Sequence, residues 1–149
     1  MKHAIFLALC LCIFLACNKD SSEFPQPVSA YPKQISIQSD VSTVPQDALT
    51  IEDAVINENM LTLTVRYGGG CGFVRFELFG DGMFMESNPV QANILLSFKD
   101  EDSCKALRTT ELEFDLSKLA TLYRTHYQTT AGTIILRLRD FSDPVTYSF

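Results

Sequence analysis

The carboxylates best spaced for catalysis are Glu111, Glu113 and Asp115, which alternate with Leu112, Phe114 and Leu116. Alternate residues of a strand point the same way about 7 Å apart, a separation compatible with the paired acids of glycoside hydrolysis. A strand face turned to water carries the same pattern, and that is the simpler reading. Asp100-Glu101-Asp102 lacks the acidic spacing, the Gly and the final Glu of a calcium loop, so it reads as a solvated turn. Gly68-Gly69-Gly70-Cys71-Gly72 has the glycines of a phosphate cradle, but a strand beginning at Phe73 follows where a helix is needed, and no Lys with Ser or Thr completes the motif. The glycines then serve a sharp turn or bulge, with a ligand groove of bare backbone as the alternative. His126 stands between Tyr123 and Tyr127 with no nucleophile-elbow string in the chain, so a catalytic triad has no support. Neither a metal centre nor a cofactor is expected. The remaining candidate is a recognition segment, Met83, Phe84, Met85, Glu86, Ser87 and Asn88, read as part of a long connection running on to Val90. Exposed Met and Phe make adaptable contact surface, although the same side chains could cover a core edge.

The elements that must position these residues are strands. Leu61, Leu63, Val65 and Tyr67 alternate with Thr62, Thr64 and Arg66, which buries one face and wets the other. The same period runs through Val74, Phe76 and Leu78, through Ile94, Leu96 and Phe98, through Leu112, Phe114 and Leu116, and through Ile134, Leu136 and Leu138 before Val145, Tyr147 and Phe149. Shorter strands are expected at Ile35 to Ile37 and Leu49 to Ile56, the latter ending in an Asn57-Glu58-Asn59 turn. One segment breaks the rhythm: Leu116, Leu119, Leu122 and Tyr123 fall at helical spacing, with Asp115 or Ser117 available as an N-cap. About eight short strands and one helix predict an all-β fold, an antiparallel β-sandwich of immunoglobulin-like type, with the helix closing one end and an open barrel as the alternative.

The N-terminus supplies an address. Ala4 to Ala16 carry no charge or turn former, a run that fits the core of a secretory signal and is short of the 20 or so residues of a spanning helix. Phe14-Leu15-Ala16-Cys17 resembles the bacterial lipobox, with Phe14 and Leu15 departing from its usual Leu and small residue. Only Cys17 has a small residue before it, whereas Leu9 precedes Cys10 and Leu11 precedes Cys12. The resemblance implies a signal peptide at 1–16, a lipid on Cys17 that anchors the chain to a membrane, and a proline-bearing tether through residue 34 ahead of a sandwich domain at 35–149. Cys71 and Cys104 are then the two thiols left in an oxidising compartment, and they should bond to each other. Closing that loop removes roughly 3 to 4 kcal/mol of unfolded-chain entropy. No Cys-x-x-Cys spacing favours redox work by free thiols instead.

A formal charge of −6 repels phosphate backbones, so nucleic acid is not a partner. The Gly-Gly-Gly-Cys-Gly string, Glu86-Ser87-Asn88-Pro89-Val90, Asp102-Ser103-Cys104-Lys105-Ala106 and Phe114-Asp115-Leu116-Ser117 together resemble small cell-envelope lipoproteins of the Bacteroidota, a likeness that brings no activity with it. It implies the outer membrane, facing the periplasm or the cell surface. The function expected is a lipid-anchored binding or accessory module for an envelope protein, without catalysis. An inhibitor of an envelope-directed hydrolase ranks second, and a glycosidase using Glu111 with Glu113 or Asp115 third. Tyr67, Tyr123, Tyr127 or Tyr147 could stack on a sugar, but the chain has no Trp.

Overall fold

A computed structural model describes residues 32–101 and 103–149. The segment expected to be a signal peptide, Cys17, the expected tether up to residue 31 and Asp102 lie outside the described residues. Among the described residues nine strands and one helix follow in the order β1 (Lys33–Gln34), β2 (Ser36–Ile37), β3 (Leu49–Asn57), β4 (Met60–Gly69), β5 (Val74–Met85), β6 (Val90–Asp100), β7 (Ala106–Asp115), α1 (Ser117–Tyr127), β8 (Thr133–Leu138) and β9 (Val145–Ser148). They form a β-sandwich, one sheet in the order β1-β7-β4-β3 and the other in the order β2-β5-β6-β8-β9.

The alternation seen in the sequence sets the two inner faces. Leu61, Leu63, Val65 and Tyr67 of β4 point inward with Phe114 of β7, against Phe76 and Leu78 of β5, Ile94, Leu96 and Phe98 of β6, Ile134, Leu136 and Leu138 of β8 and Tyr147 of β9. Each fully buried aliphatic or aromatic side chain contributes about 1.5 to 3 kcal/mol, so this layer is the main source of stability. At one end Tyr67, Phe76 and Phe98 pack as a cluster, with ring centroids 4.8–5.2 Å apart.

The sheets are mixed: the long strands mostly pair antiparallel, while β1–β7, β2–β5 and β6–β8 are parallel. The last of these needs a crossover between strands of one sheet, and β7 with α1 provides it. The strand expected from Ile35 to Ile37 is two fragments. β1 joins one sheet and β2 the other, and Ile35 sits between them wholly buried where the chain changes layer.

Helix α1 closes the end of the sandwich. Leu116 at its start and Leu119, Ala120 and Tyr123 within it recur at one face, and the first three are buried. Leu116 occupies the N-cap position with no side-chain cap. Asp115, one residue earlier, instead accepts hydrogen bonds from the Ser117 backbone N–H at 2.8 Å and from its hydroxyl. These bonds hold the Asp115 carboxyl below its ordinary pKa. Arg124 and His126 in the last turn suit the negative end of the helix dipole, and Gln128 ends the helix in the left-handed region.

On the outer face of the second sheet, Leu95, Ser97 and Phe79 are also buried. The chain between β2 and β3 lies there as a strap, fixed by Gln38 N–H to Gly80 O (2.9 Å), Ser97 Oγ–H to Pro45 O (2.7 Å) and Asp47 N–H to Phe98 O (3.0 Å).

Candidate binding surface

Two sequence features give β5 an irregular end. Gly80 pairs with Ile94 and Phe84 pairs with Ala92, so three residues of β5 oppose Asn93 alone. Asp81 organises this bulge, accepting from the Met83 backbone N–H at 3.0 Å and from Asn93 Nδ2 at 2.9 Å. Gly82 meets its need for a positive φ of 75°, and an added Cβ there would lie 2.9 Å from Ile37. The surplus of two residues keeps Phe84 on the inner face with Ala92 and turns Met85 outward with Gln91.

Met83, Phe84 and Met85 are therefore strand residues, not part of a long connection, and only Glu86 to Pro89 form the turn. The connection looked long because an apolar residue after Gly-Asp-Gly has no visible partner in the sequence; the bulge is stabilised by Asn93, twelve residues on from Asp81. Phe84 packs against α1, edge-on to Tyr123 at 5.6 Å and tilted to Tyr127 and His126 at 5.8 and 6.1 Å. Tyr123 in turn meets Tyr127 and Phe149, over which the Arg124 guanidinium lies at 4.9 Å.

That aromatic layer supports the turn from below. Tyr127 donates its hydroxyl to Glu86 Oε1 at 3.2 Å, and partial burial followed by the Glu86 charge raises the Tyr127 pKa. Ser87 Oγ donates to Pro89 O at 2.6 Å and accepts from Gln91 Nε2 at 3.1 Å. The Asn88–Pro89 bond is cis. Met83 is 65% exposed and Met85 40% exposed, with Glu86, Ser87 and Asn88 open to solvent beside them. The result is a small apolar and polar surface held on a fixed frame. It offers exposed apolar side chains and hydrogen-bonding groups side by side.

The other sequence candidates fall elsewhere. Glu111 and Glu113 are exposed on the outer face of β7, and Asp115 is committed to Ser117. Among the described residues no group of three or more His, Cys, Asp or Glu side chains could hold a metal ion. Cys71 and Cys104 are bonded, Cα to Cα 5.9 Å, and tie the β4–β5 connection to the β6–β7 connection. The glycine string leads into β5, with Gly70 at φ 131° where a side chain would be strained, and it opens no helix. Two of the four candidate sugar-stacking tyrosines are interior. Tyr67 lies in the Phe76–Phe98 cluster, and Tyr147 is fully buried, its hydroxyl donating to Asn59 Oδ1 at 2.6 Å. Alternation with Val65 and Val145 was the signal that could have placed both inside.

Sequence reasoning did not single out the small open pocket between the strap and the β8–β9 turn, lined by Gln46, Asp47, Leu49, Leu95, Arg139 and Asp140. Its cationic group is already used, because Arg139 Nη1 donates to Gln46 Oε1 at 2.6 Å.

The sequence matches no protein-family model and no curated protein. Among solved structures it is similar to a NigD-like immunity protein from Bacteroides caccae, with a TM-score of 0.56 and 16% identity over 77% of this chain and 58% of that one. The present chain thus spans little more than half the length of that protein. A protein provisionally assigned as a lipoprotein from Bacteroides fragilis gives a TM-score of 0.49 at 13% identity, over 79% of this chain and 67% of that one. The first of these likenesses establishes the shared sandwich fold.

Proposed function

We propose that this protein is a lipid-anchored, non-enzymatic β-sandwich of the cell envelope that binds a protein partner through the end of the β5–β6 hairpin. The observation that carries the reading is the pair of exposed methionines, Met83 and Met85, set beside a turn in which Ser87 Oγ bonds the Pro89 carbonyl while Gln91 and Tyr127 bond the Ser87 and Glu86 side chains. Polarisable apolar side chains on a pre-ordered frame gain contact area with little loss of conformational entropy on binding. The apolar run from Ala4 to Ala16 and the lipobox-like Phe14-Leu15-Ala16-Cys17 support the envelope location.

Capture from solubilised envelopes tests this with the native protein beside a Met83→Ser, Met85→Ser double variant. The native protein should retain a specific partner and the folded double variant should lose it. Equal retention by both, or a native protein that retains nothing, removes the reading.

A second reading makes the partner an antagonist that this protein neutralises. The fold shared with a NigD-like immunity protein favours it, together with the rigidity of the Glu86–Pro89 turn, since a fixed loop is what an inhibitor presents. Protection of cells against an antibacterial protein, lost in a deletion strain and restored by the gene, would establish it.

A further inference from the structure

We infer that the edge of β7 from Leu107 to Glu113, unpaired among the described residues, is a second docking site, one that takes an extended protein segment with Lys or Arg at alternate positions as an added strand. This lies on the opposite face of the sandwich from Met85 and does not depend on the hairpin surface.

The edge is shown by the way the chain itself uses it. β1 lies parallel to β7 at Phe114 and Asp115, and Ile35 N–H donates to Asp115 O at 3.0 Å. The Asp115 carbonyl therefore points away from β4. Strand alternation aims the backbone N–H and C=O groups of Glu113, Glu111, Thr109 and Leu107 toward the same edge. Among the described residues, no strand but β1 pairs with that edge, and it stops at Phe114. β7 keeps unbroken register with β4 from Ala106 to Asp115, so the edge carries no bulge and is long enough for a seven-residue strand.

The other long edge of the same sheet is unsuitable. β3 carries a bulge at Glu52, whose carboxylate pairs with Arg66 at 2.9 Å, and such bulges disrupt further pairing.

Charge selects the occupant. The side chains of Leu107, Thr109, Glu111 and Glu113 share the outer face of the edge, with Thr64 and Thr62 beside the two glutamates on β4 and Asp53 beyond Thr64 on β3. Among the described residues neither Glu111 nor Glu113 is ion-paired. At the far end Leu107 is 70% exposed. An incoming antiparallel strand thus meets two carboxylates two residues apart and then, four residues further, an apolar side chain. Lys-x-Lys-x-Thr-x-Val, read from Glu113 to Leu107, places a cation opposite each carboxylate and a β-branched residue opposite Leu107.

The probe is a fluorescent peptide, Lys-Thr-Lys-Thr-Thr-Thr-Val with neutral capped ends, titrated into the full-length chain in neutral detergent and followed by anisotropy. Saturable binding is expected. It should weaken about tenfold or more with a Glu111→Lys, Glu113→Lys double variant, as two cross-strand attractions become repulsions, and a peptide with Glu at the two Lys positions should recover it. N-methylation of the backbone amides that face β7 should abolish it, and a free thermal melt should show both proteins folded.

Binding that ignores the charge exchange or survives N-methylation overturns the inference. So does absence of binding, whether the edge is covered by this chain or by a second copy, which sedimentation of the free protein separates. Because the assay uses a synthetic strand and leaves Met83 and Met85 in place, its failure leaves the hairpin reading standing, and equal envelope capture by the native protein and the hairpin variant leaves this one standing.

Discussion

Phe84 and Met83 are sequence neighbours on opposite sides of a strand, and truncating each to alanine should separate packing from presentation. Full removal of a buried Phe side chain costs about 3 to 5 kcal/mol, through lost transfer energy and the cavity left behind. Phe84 is half-buried, which scales that figure to about 2 kcal/mol. Its edge-on contact with Tyr123 at 5.6 Å adds about 1 kcal/mol beyond area. Phe84→Ala should therefore cost about 3 kcal/mol, and at about 4 °C per kcal/mol for a domain of this size the melting temperature should fall by about 10 °C. Met83→Ala removes a side chain that is 65% exposed and should stay within about 0.5 kcal/mol of the native protein. Urea denaturation followed by far-ultraviolet circular dichroism gives both numbers, with the slope of the transition reporting whether the unfolded reference has changed. If Phe84→Ala unfolds within about 0.5 kcal/mol of native at an unchanged slope, the aromatic layer does not support the hairpin, and the account of the turn as a fixed frame fails with it.

Tyr147 has its phenol pushed up to about 12 by burial, against about 10 in the unfolded chain. Stability should be full below pH 10 and fall as pH rises toward 12, by about 2 to 3 kcal/mol in all, because the unfolded chain releases a proton that the native state holds. Thermal melts from pH 8 to 11.5 should show a shallower alkaline decline for Tyr147→Phe, and parallel curves would contradict the assignment. Thiol counting under denaturing conditions should find no free thiol at Cys71 or Cys104, and reduction should cost roughly 3 to 4 kcal/mol for a loop with a sequence separation of 33. Metabolic labelling with a fatty acid should mark the native protein but not Cys17→Ser; label retained by the variant would place the lipid elsewhere.

Where burial on one face decides a strand, the sequence was enough. The alternations in β4, β7 and β8 correctly anticipate Leu61, Leu63, Phe114, Ile134 and Leu136 as interior, and the helical spacing from Leu116 to Tyr123 finds α1. What escaped was decided by contacts between distant residues. Nothing local splits Ile35 to Ile37 between two sheets, since each half is fixed by a different partner, Phe114 and Asp115 for one and Phe79 and Gly80 for the other. Nothing local shows that Asn93 sits opposite a three-residue bulge. One signal was available: Ile94-Leu95-Leu96 runs apolar without a break, as a strand covered on both faces does, and the strap over Leu95 is the cover. The β7 edge was illegible for a different reason, because Glu111 and Glu113 look the same on any wetted strand and only the topology shows that, among the described residues, β7 has no more than the two-residue β1 on its outer side.

The two ends of the sandwich are closed by different physics, and this bears on where recognition can sit. At the Tyr67 end a covalent bond between Cys71 and Cys104 joins two connections, while Phe73 beside it remains 77% exposed. The disulfide fixes the chain there without needing the side chains around it to be buried. At the other end no covalent link holds the β5–β6 turn. Its position depends on Phe84, Tyr123, Tyr127 and Phe149 packing under it and on the Glu86–Tyr127 hydrogen bond above them. Non-covalent support ties presentation to folding, so the Met83–Met85 surface exists only while α1 is docked. A substitution in the aromatic layer that loosens α1 should therefore weaken partner capture even when Met83 and Met85 are untouched, whereas reduction of the disulfide under conditions that keep the domain folded should leave capture unchanged.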